Sequence, residues 1–158
     1  MFEIRCPTTL DAWTAVRALL VDYAQSLNID LCFQNFEAEL AELPGEYSPP
    51  RGAFMTVHAE GILVGCCALR PLDSVDYPNA AEMKRLYIRP AYRGNGLGRL
   101  LTESILDAAR HFHYAYVLLD TLSGMETARN LYGDLGFEEV APYYFNPIEG
   151  AHYLLVRL

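Results

Sequence analysis

The spacing of apolar residues changes along the chain, and each change marks the start of a predicted element. Apolar residues recur every three or four positions in helical segments, and alternate or run continuously in strands. This spacing predicts helices at 10–27, 35–43, 96–112 and 125–135. It predicts strands at 2–5, 54–58, 62–69, 81–88, 116–121 and 152–158, with a loop at 73–79.

Capping residues and apolar stripes refine the two longest predicted helices. Thr8 is expected to cap the first, with Asp11 at the capping-box position. The buried stripe of this helix is expected to contain Leu10, Trp13, Val16, Leu20, Tyr23 and Leu27. The stripe of the 96–112 helix is expected to contain Leu97, Leu100, Leu101, Ile105, Ala108 and Phe112.

The order of the predicted elements favours an α+β domain with a mixed sheet and helices on both faces. Hairpin-forming strands precede a single strand, helix, strand crossover, whereas a doubly wound sheet would alternate from its first element. A chain of 158 residues that is 52% hydrophobic and 20% charged has the size and composition of one compact domain, covering 1–158.

Composition excludes several classes of function. The net charge of −8 argues against a nucleic-acid-binding surface, and no apolar run is long enough to span a membrane. Without a signal sequence, the cytoplasm is the expected compartment. Four cysteines without zinc spacing are expected to be free thiols, and no metal site is expected; they are Cys6, Cys32, Cys66 and Cys67.

One segment of this acidic chain is basic. Residues 84–110 hold six Lys or Arg residues and only two acidic ones. Within it, the 93–99 segment, which we name the anion loop, places three glycines and two arginines directly before the 96–112 helix. Free N–H groups at a helix start bind phosphate oxygens, and glycines allow close approach. The loop fits neither a P-loop nor a dinucleotide fingerprint. The alternative is a glycine-rich turn that only joins strand to helix.

Several motifs together resemble the GNAT superfamily of acyl-CoA-dependent N-acyltransferases. Arg93-x-x-Gly96-x-Gly98 follows Leu86-Tyr87-Ile88-Arg89-Pro90 and precedes Ala128-x-x-Leu131-Tyr132-x-x-Leu135-Gly136-Phe137. A bacterial subgroup of small single-domain members is similar at Leu43-Pro44-Gly45-Glu46-Tyr47, Glu82-Met83-Lys84-Arg85-Leu86-Tyr87, Leu119-Asp120-Thr121 and Tyr143-Tyr144-x-Asn146-Pro147. The resemblance implies a central, mostly antiparallel twisted sheet.

The resemblance also implies a co-substrate, acetyl-CoA, and no metal. The strand before the anion loop would separate from its neighbour and pair with the pantetheine arm through Leu86 and Ile88, and the Ile88 amide would donate to the thioester oxygen. The coenzyme pyrophosphate would lie on the loop itself, at Arg93, Gly94, Asn95, Gly96, Leu97, Gly98 and Arg99. The chain departs from the family at Met125, where an Asn often begins the next helix.

Two residues are candidates for proton transfer. Tyr132 lies at the family's general-acid position, and a phenol stays protonated at neutral pH; the alternative is a packing role. Glu82 is the best-placed carboxylate to take a proton from the acceptor ammonium, directly or through water. Strand periodicity places Glu82, Lys84, Leu86 and Ile88 on one face. The alternative for Glu82 is an ion pair with Lys84 or Arg85.

The leading prediction is an enzyme that acetylates a primary amine by direct attack in a ternary complex. A non-catalytic domain that binds or senses acyl-CoA remains open, as does a protein-interaction module, although the latter leaves the basic segment unexplained. The partner is expected to be an amino acid, a polyamine or a peptide amine, and a homodimer is possible. Candidate acceptor-pocket residues are Tyr47, Arg51, Tyr143, Tyr144 and Asn146.

Overall fold

A computed structural model describes residues 1–27, 35–122 and 126–158, without the side chains of 122, 126 and 127. The strands of this part are β1 (Phe2–Arg5), β2 (Ala53–Ala59), β3 (Ile62–Leu72), β4 (Ala80–Ile88), β5 (Tyr116–Leu122), β6 (Glu138–Val140) and β7 (Ala151–Arg157). The helices are α1 (Leu10–Leu27), α2 (Phe36–Glu42), α3 (Leu97–His111) and α4 (Glu126–Asp134), with a 3₁₀ turn at Pro90–Tyr92.

The seven strands form one mixed sheet in the order β1-β2-β3-β4-β5-β7-β6. Neighbouring strands are antiparallel except β4 and β5, which are parallel. The crossover between these two strands is α3, as a parallel connection requires. The predicted α+β class with a mostly antiparallel sheet is therefore confirmed.

Helices cover both faces of the sheet, as predicted. On one face α3 and α4 pack on a core that includes Val57, Leu101, Ile105 and Val117. On the other face α1 and α2 cover a second core that includes Leu20, Phe36, Phe54 and Tyr87. The central strands are therefore buried on both sides, which accounts for their nearly continuous apolar runs.

Some details of the helices differ from the prediction. Thr9, not Thr8, caps α1, because its Oγ1 accepts the N–H of Ala12 at 3.1 Å; Asp11 is therefore not at the capping-box position. Leu10 is 87% exposed and Leu100 40% exposed, so neither belongs to its predicted stripe. Leu19, which the α1 stripe omitted, is fully buried.

A bulge in β4 overturns the prediction that Glu82, Lys84, Leu86 and Ile88 share one face. The β3–β4 register shifts between Cys66 and Ala68, and Arg85 opposite this shift has φ +64°. Before the bulge Glu82 and Lys84 line a cavity beside α2, whereas after it Leu86 and Ile88 pack against the α3 core. The extra residue reverses the alternation of side chains.

The predicted free thiols are found where the structure describes them. Cys66 and Cys67 are buried and free, Cys6 is exposed and free, and Cys32 lies outside the described residues. Burial raises the pKa of Cys66 to about 12, so its thiol is inert at neutral pH. Over the described residues, no helix has the length and apolar character needed to cross a membrane.

Candidate active site

The parallel strands β4 and β5 separate partway along their length. Their ladder consists of three residue pairs, Ala80 with Tyr116, Ala81 with Val117 and Glu82 with Leu118. Beyond Glu82, β4 continues to Ile88 while β5 pairs only with β7 among the described residues. We name the resulting gap the β4/β5 opening. It leaves one edge of β4 available to an extended ligand, as in β-strand addition.

The backbone of β4 presents polar groups to this opening. The N–H of Arg89 donates to the Val64 oxygen on β3 at 2.8 Å. Because backbone groups alternate in direction along a strand, those of Ile88 and Leu86 point to the opposite edge, where the opening lies. The Ile88 oxygen accepts Nε of Arg93 at 2.9 Å, and its amide remains directed at the opening. Leu86 and Ile88 therefore lie where an extended ligand could pair with β4.

The anion loop leads into α3 without a side-chain cap. Gly94 and Gly96 have φ values of +85° and +75°, and a Cβ on either would meet no atom within 4 Å. Gly96 is the N-cap of α3 and makes no side-chain hydrogen bond to the first turn. The N–H groups of Leu97, Gly98 and Arg99 belong to the first turn of the helix, so they have no acceptor within it. The residues present fit a pyrophosphate at this helix start.

The polar side chains of the anion loop hold its shape and supply charge. The guanidinium of Arg93 lies 5.8 Å from the centre of the Tyr87 ring while it binds the Ile88 oxygen. Asn95 donates to the Tyr92 oxygen at 2.9 Å. Arg99 is exposed and forms a 3.2 Å ion pair with Asp134 of α4. A surface pair of this kind contributes little, so Arg99 remains available to an anion.

Tyr132 lies on α4 in the core between that helix and the sheet. It is 5% exposed, and its ring packs against Phe137 at 5.5 Å. Burial raises the pKa of its phenol far above the ordinary value, and the nearby groups of Cys67, Tyr23 and Asp120 raise this pKa further. The hydroxyl therefore holds its proton at neutral pH, and the same shift makes it a weaker acid than an exposed phenol.

A cavity of about 480 Å³ lies beside α2, on the side of β4 occupied by Glu82. Three of the five predicted pocket residues line it, namely Tyr47, Tyr143 and Tyr144. We name it the acceptor cavity. Its volume suits a small molecule.

The other two predicted pocket residues lie outside the acceptor cavity. Arg51 forms a bidentate ion pair with Asp73, with N···O distances of 2.9 and 2.6 Å, and its side chain is 54% exposed. Asn146 supports the wall of the cavity: its Nδ2 donates to Asp120 at 2.8 Å, and the Tyr144 hydroxyl donates to the same carboxylate oxygen at 2.5 Å. Asp120 thereby fixes Tyr144.

Glu82 is buried at the wall of the acceptor cavity, with both carboxylate oxygens bonded. Oε1 accepts Nε of Arg70 at 2.8 Å, and Oε2 accepts the Tyr143 hydroxyl at 2.6 Å. Burial alone favours the neutral carboxyl, but Lys84, Arg70 and the Tyr143 hydrogen bond outweigh it and lower the pKa of Glu82. Glu82 is therefore ionised at neutral pH, in ion pairs with Arg70 at 2.8 Å and with Lys84 at 3.9 Å, whereas Arg85 pairs with Glu39.

Sequence reasoning missed Arg70 and Glu46 as residues of this site. Arg70 bridges the buried Glu82 and the exposed Glu46, whose Oε1 accepts its Nη1 at 2.9 Å. The available signal was a charged residue directly after the apolar run of β3. Met125 lies outside the described residues, and His111 and His113 are exposed, as predicted. The described residues contain no group of three or more potential metal ligands among His, Cys, Asp and Glu.

Solved structures with this fold define the class of protein. An acetyltransferase from Streptococcus agalactiae superposes with a TM-score of 0.79 at 23% identity, covering 99% of this chain and 98% of that one. The PaiA N-acetyltransferase of Thermoplasma acidophilum, solved in complex with coenzyme A, superposes with a TM-score of 0.74 at 15% identity, covering 100% and 99%. The sheet with its β4/β5 opening is thus the fold of N-acetyltransferases.

Sequence comparison then identifies the family. The model of the acetyltransferase (GNAT) family matches residues 13–137. A protein described as an uncharacterized N-acetyltransferase of Schizosaccharomyces pombe is 36% identical over 156 residues, covering 98% of this chain and 92% of that protein. This chain belongs to the GNAT acetyltransferase family, which confirms the resemblance. These similar proteins are fungal, bacterial and archaeal, so they do not single out the predicted bacterial subgroup.

Proposed function

We propose that the protein transfers the acetyl group of acetyl-CoA to the primary amine of a small acceptor in a ternary complex. The observation that carries this proposal is the β4/β5 opening, together with the uncapped, glycine-rich helix start that follows β4 and the cavity that Glu82 and Lys84 of β4 line. Acetyl-CoA supplies the acetyl group as a reactive thioester. Cys66 and Cys67 are buried thiols with raised pKa values, which makes both poor nucleophiles. The proposed reaction therefore forms no acetyl-cysteine intermediate.

The residues of the opening divide into two binding roles. The amides at the start of α3 and the exposed side chain of Arg99 bind the pyrophosphate, because both supply positive charge next to the loop glycines. Leu86 and Ile88 pair with the amides of the pantetheine arm. The Ile88 N–H lies at the same edge and donates to the thioester oxygen as charge develops there.

Tyr132 completes the bond exchange. The acceptor nitrogen forms a bond with the thioester carbonyl carbon while the carbon–sulfur bond breaks, and the departing thiolate takes a proton from the Tyr132 hydroxyl. The burial that raises the pKa of this phenol also removes competing water from it. The acceptor ammonium loses one proton to a base before it attacks and a second proton as the amide forms, and the second proton restores the Tyr132 hydroxyl, so that a neutral amide and a free thiol result.

The sequence predicts that Glu82 takes a proton from the acceptor ammonium. This is the first of two candidate roles for Glu82. Both oxygens of Glu82 are bonded, and its lowered pKa makes it a weaker base than a free glutamate. The same contacts favour a second role, in which Glu82 fixes Arg70 and Tyr143 at the wall of the acceptor cavity. The variant Glu82→Gln, described in the Discussion, separates the two roles.

Release of free thiol from acetyl-CoA in the presence of amines tests the proposed function. Amino acids, polyamines and short peptides are supplied one at a time, and thiol release above the hydrolytic background is recorded. We expect saturable release with at least one class. Saturable binding of acetyl-CoA with no thiol release from any class would instead favour the alternative function, a domain that binds or senses acyl-CoA.

A further inference from the structure

Lys84 is a buried cation at the wall of the acceptor cavity. It lies on β4 two residues after the last β4–β5 pair, and its side chain is only 10% exposed. Its ammonium is 3.9 Å from Oε1 of Glu82, a separation too long for a hydrogen bond. Within the described parts of the chain this is the one ion pair of Lys84, so its N–H donors have no bonded acceptor there.

The neighbouring carboxylates are already committed to other partners. Oε1 of Glu82 accepts Arg70, and Oε2 accepts the Tyr143 hydroxyl. Arg70 also binds Glu46 at 2.9 Å. On the far side of the cavity, Glu39 is held by the guanidinium of Arg85 at 2.8 Å. These contacts leave the ammonium of Lys84 as the cavity's available donor of positive charge.

An ammonium that borders a cavity and has no bonded protein acceptor favours an anionic ligand. Burial lowers the pKa of the Lys84 ammonium, and the nearby charge of Glu82 offsets only part of this decrease. A ligand carboxylate supplies acceptor oxygens and an opposite charge to a side chain that is only 10% exposed, and charge-assisted hydrogen bonds strengthen as exposure to water falls. The cavity is also lined by four carboxylates, Glu39, Glu42, Glu46 and Glu82, which suit a positively charged amine on the same ligand.

We propose that Lys84 forms a carboxylate subsite, and that the acceptor is a small amine that also carries a carboxylate, as an amino acid does. This inference rests on the proposed acetyl transfer and narrows its substrate class. Lys84 belongs to the part of β4 that borders the opening, so a carboxylate on its ammonium keeps the amine of the same small molecule within a few bonds of this strand. A polyamine would bring a second positive charge to Lys84 instead.

Paired substrates test the subsite. The twenty L-amino acids and the matching L-amino acid amides are compared as acceptors, since each pair differs only in the carboxylate. We expect the wild-type chain to prefer the acid over the amide by roughly 10–100-fold in kcat/KM, the usual worth of a charged hydrogen bond. In Lys84→Met this preference should disappear through a raised KM for the acid, with the KM for acetyl-CoA unchanged.

A matched control shows whether the effect of Lys84→Met comes from a lost contact with the acceptor or from the loss of one positive charge anywhere on the protein. Arg110→Met removes an exposed cation that pairs with Asp107 on α3, and it should keep the preference for the acid. If Lys84→Met instead lowers kcat equally for acids and amides, Lys84 serves the reaction centre and the subsite is wrong. Wild-type acetylation of amides or polyamines with equal or greater kcat/KM would overturn the subsite while leaving the proposed function intact.

A second readout does not depend on turnover. Lys84 is the single lysine of the sequence, so [¹⁵N]lysine labelling gives one side-chain ammonium resonance. In the presence of coenzyme A, N-acetylated amino acids should shift this resonance and raise the pKa of Lys84, whereas the corresponding N-acetyl amides should not. A resonance that responds to neither series, or equally to both, overturns the subsite even if acetyl transfer to other amines is observed.

Discussion

At the scale of single residues, Gly96 tests the anion loop most simply. Its φ of +75° and its open surroundings allow a pyrophosphate to approach the first N–H groups of α3. Gly96→Val adds a branched side chain in that space and strains the backbone by about 1–2 kcal/mol. We expect the calorimetric Kd for acetyl-CoA to rise by roughly tenfold or more, because the side chain occupies the place of the phosphate oxygens.

Gly61 offers a matched control for this change. It has φ +81° in the β2–β3 turn, and a Cβ there also meets no atom within 4 Å. Gly61→Val should carry a similar backbone strain and leave the Kd for acetyl-CoA unchanged. An equal Kd for Gly96→Val and the wild type would place the pyrophosphate elsewhere.

Tyr132→Phe isolates the hydroxyl from the packing of its ring. The fold and the Kd for acetyl-CoA should survive, because the ring still contacts Phe137. The chemical step should slow by ~10²–10⁴-fold, the usual worth of a positioned acid, as measured by single-turnover kinetics. Tyr116→Phe, at the opposite end of β5 from the opening, serves as the control. Full turnover in Tyr132→Phe at every pH would reduce Tyr132 to a packing residue.

Glu82→Gln separates proton transfer from positioning. As a positioning residue, Glu82 holds Arg70 and Tyr143, so its loss should raise the KM for the acceptor and destabilise the fold by about 3–5 kcal/mol, with kcat kept within a few fold. Steady-state kinetics and urea unfolding measure both effects. A loss of ~10²-fold or more in kcat with an unchanged acceptor KM would identify Glu82 as the base.

The lowered pKa of Glu82 also predicts the pH dependence of this stabilisation. The folded pKa lies below the ordinary value of 4.5, so the unfolded chain binds more protons as the solution is acidified. The contribution of Glu82 is therefore complete well above pH 4.5 and is lost as the pH falls through the folded pKa. The difference in free energy of unfolding between the wild type and Glu82→Gln should accordingly shrink below that pH.

At the scale of elements, the β4 bulge and α2 are joined by one buried ion pair. Arg85 is 4% exposed; its guanidinium binds Glu39 of α2 at 2.8 and 2.9 Å and lies 5.2 Å from the Phe36 ring centre. Arg85→Met leaves Glu39 without its cation in a largely buried place. We expect a loss of about 3–5 kcal/mol in the free energy of unfolding by urea titration.

Arg51→Met is the control for that loss. Arg51 has an equally short pair with Asp73, but the side chains are 54% and 69% exposed, so its removal should cost less than about 1 kcal/mol. Equal losses for the two variants would show that burial does not set the strength of the Arg85 pair.

Most elements could be predicted from the sequence, because amphipathic helices and buried strands have distinct apolar spacing. The bulge could not, since it depends on one residue, Arg85, at positive φ, and Arg gives no local signal for this conformation. The three-residue strand β6 is too short for any period to show. The choice between Thr8 and Thr9 as the cap of α1 depends on a single hydrogen bond.

The anion loop could be predicted from the sequence more completely than the acceptor cavity. The anion loop is continuous in sequence, so its glycines, arginines and helix start could be interpreted together. The acceptor cavity combines residues from α2, β3, β4 and the segment before β7. Periodicity gives no information on such distant contacts, and Arg70 and Glu46 therefore emerged only from the fold.

At the scale of the whole molecule, the sequence predicts a homodimer, and exposed apolar side chains are compatible with one. Phe145 is 82% exposed and Ile62 56% exposed. Burying such side chains in a symmetric contact would stabilise a pair of chains. Light scattering over a range of protein concentrations should give the mass of two chains. A mass of one chain at every concentration would contradict the prediction.

The fate of a labelled acetyl group tests the central claim most directly. The purified chain is mixed with stoichiometric [¹³C]acetyl-CoA and the best amine from the thiol-release panel, and the products are followed by NMR and mass spectrometry. The account predicts that the label appears on the nitrogen of the acceptor, together with one equivalent of free coenzyme A and an unmodified protein. Label that stays on bound acetyl-CoA, or that ends as acetate or on the protein itself, would contradict it.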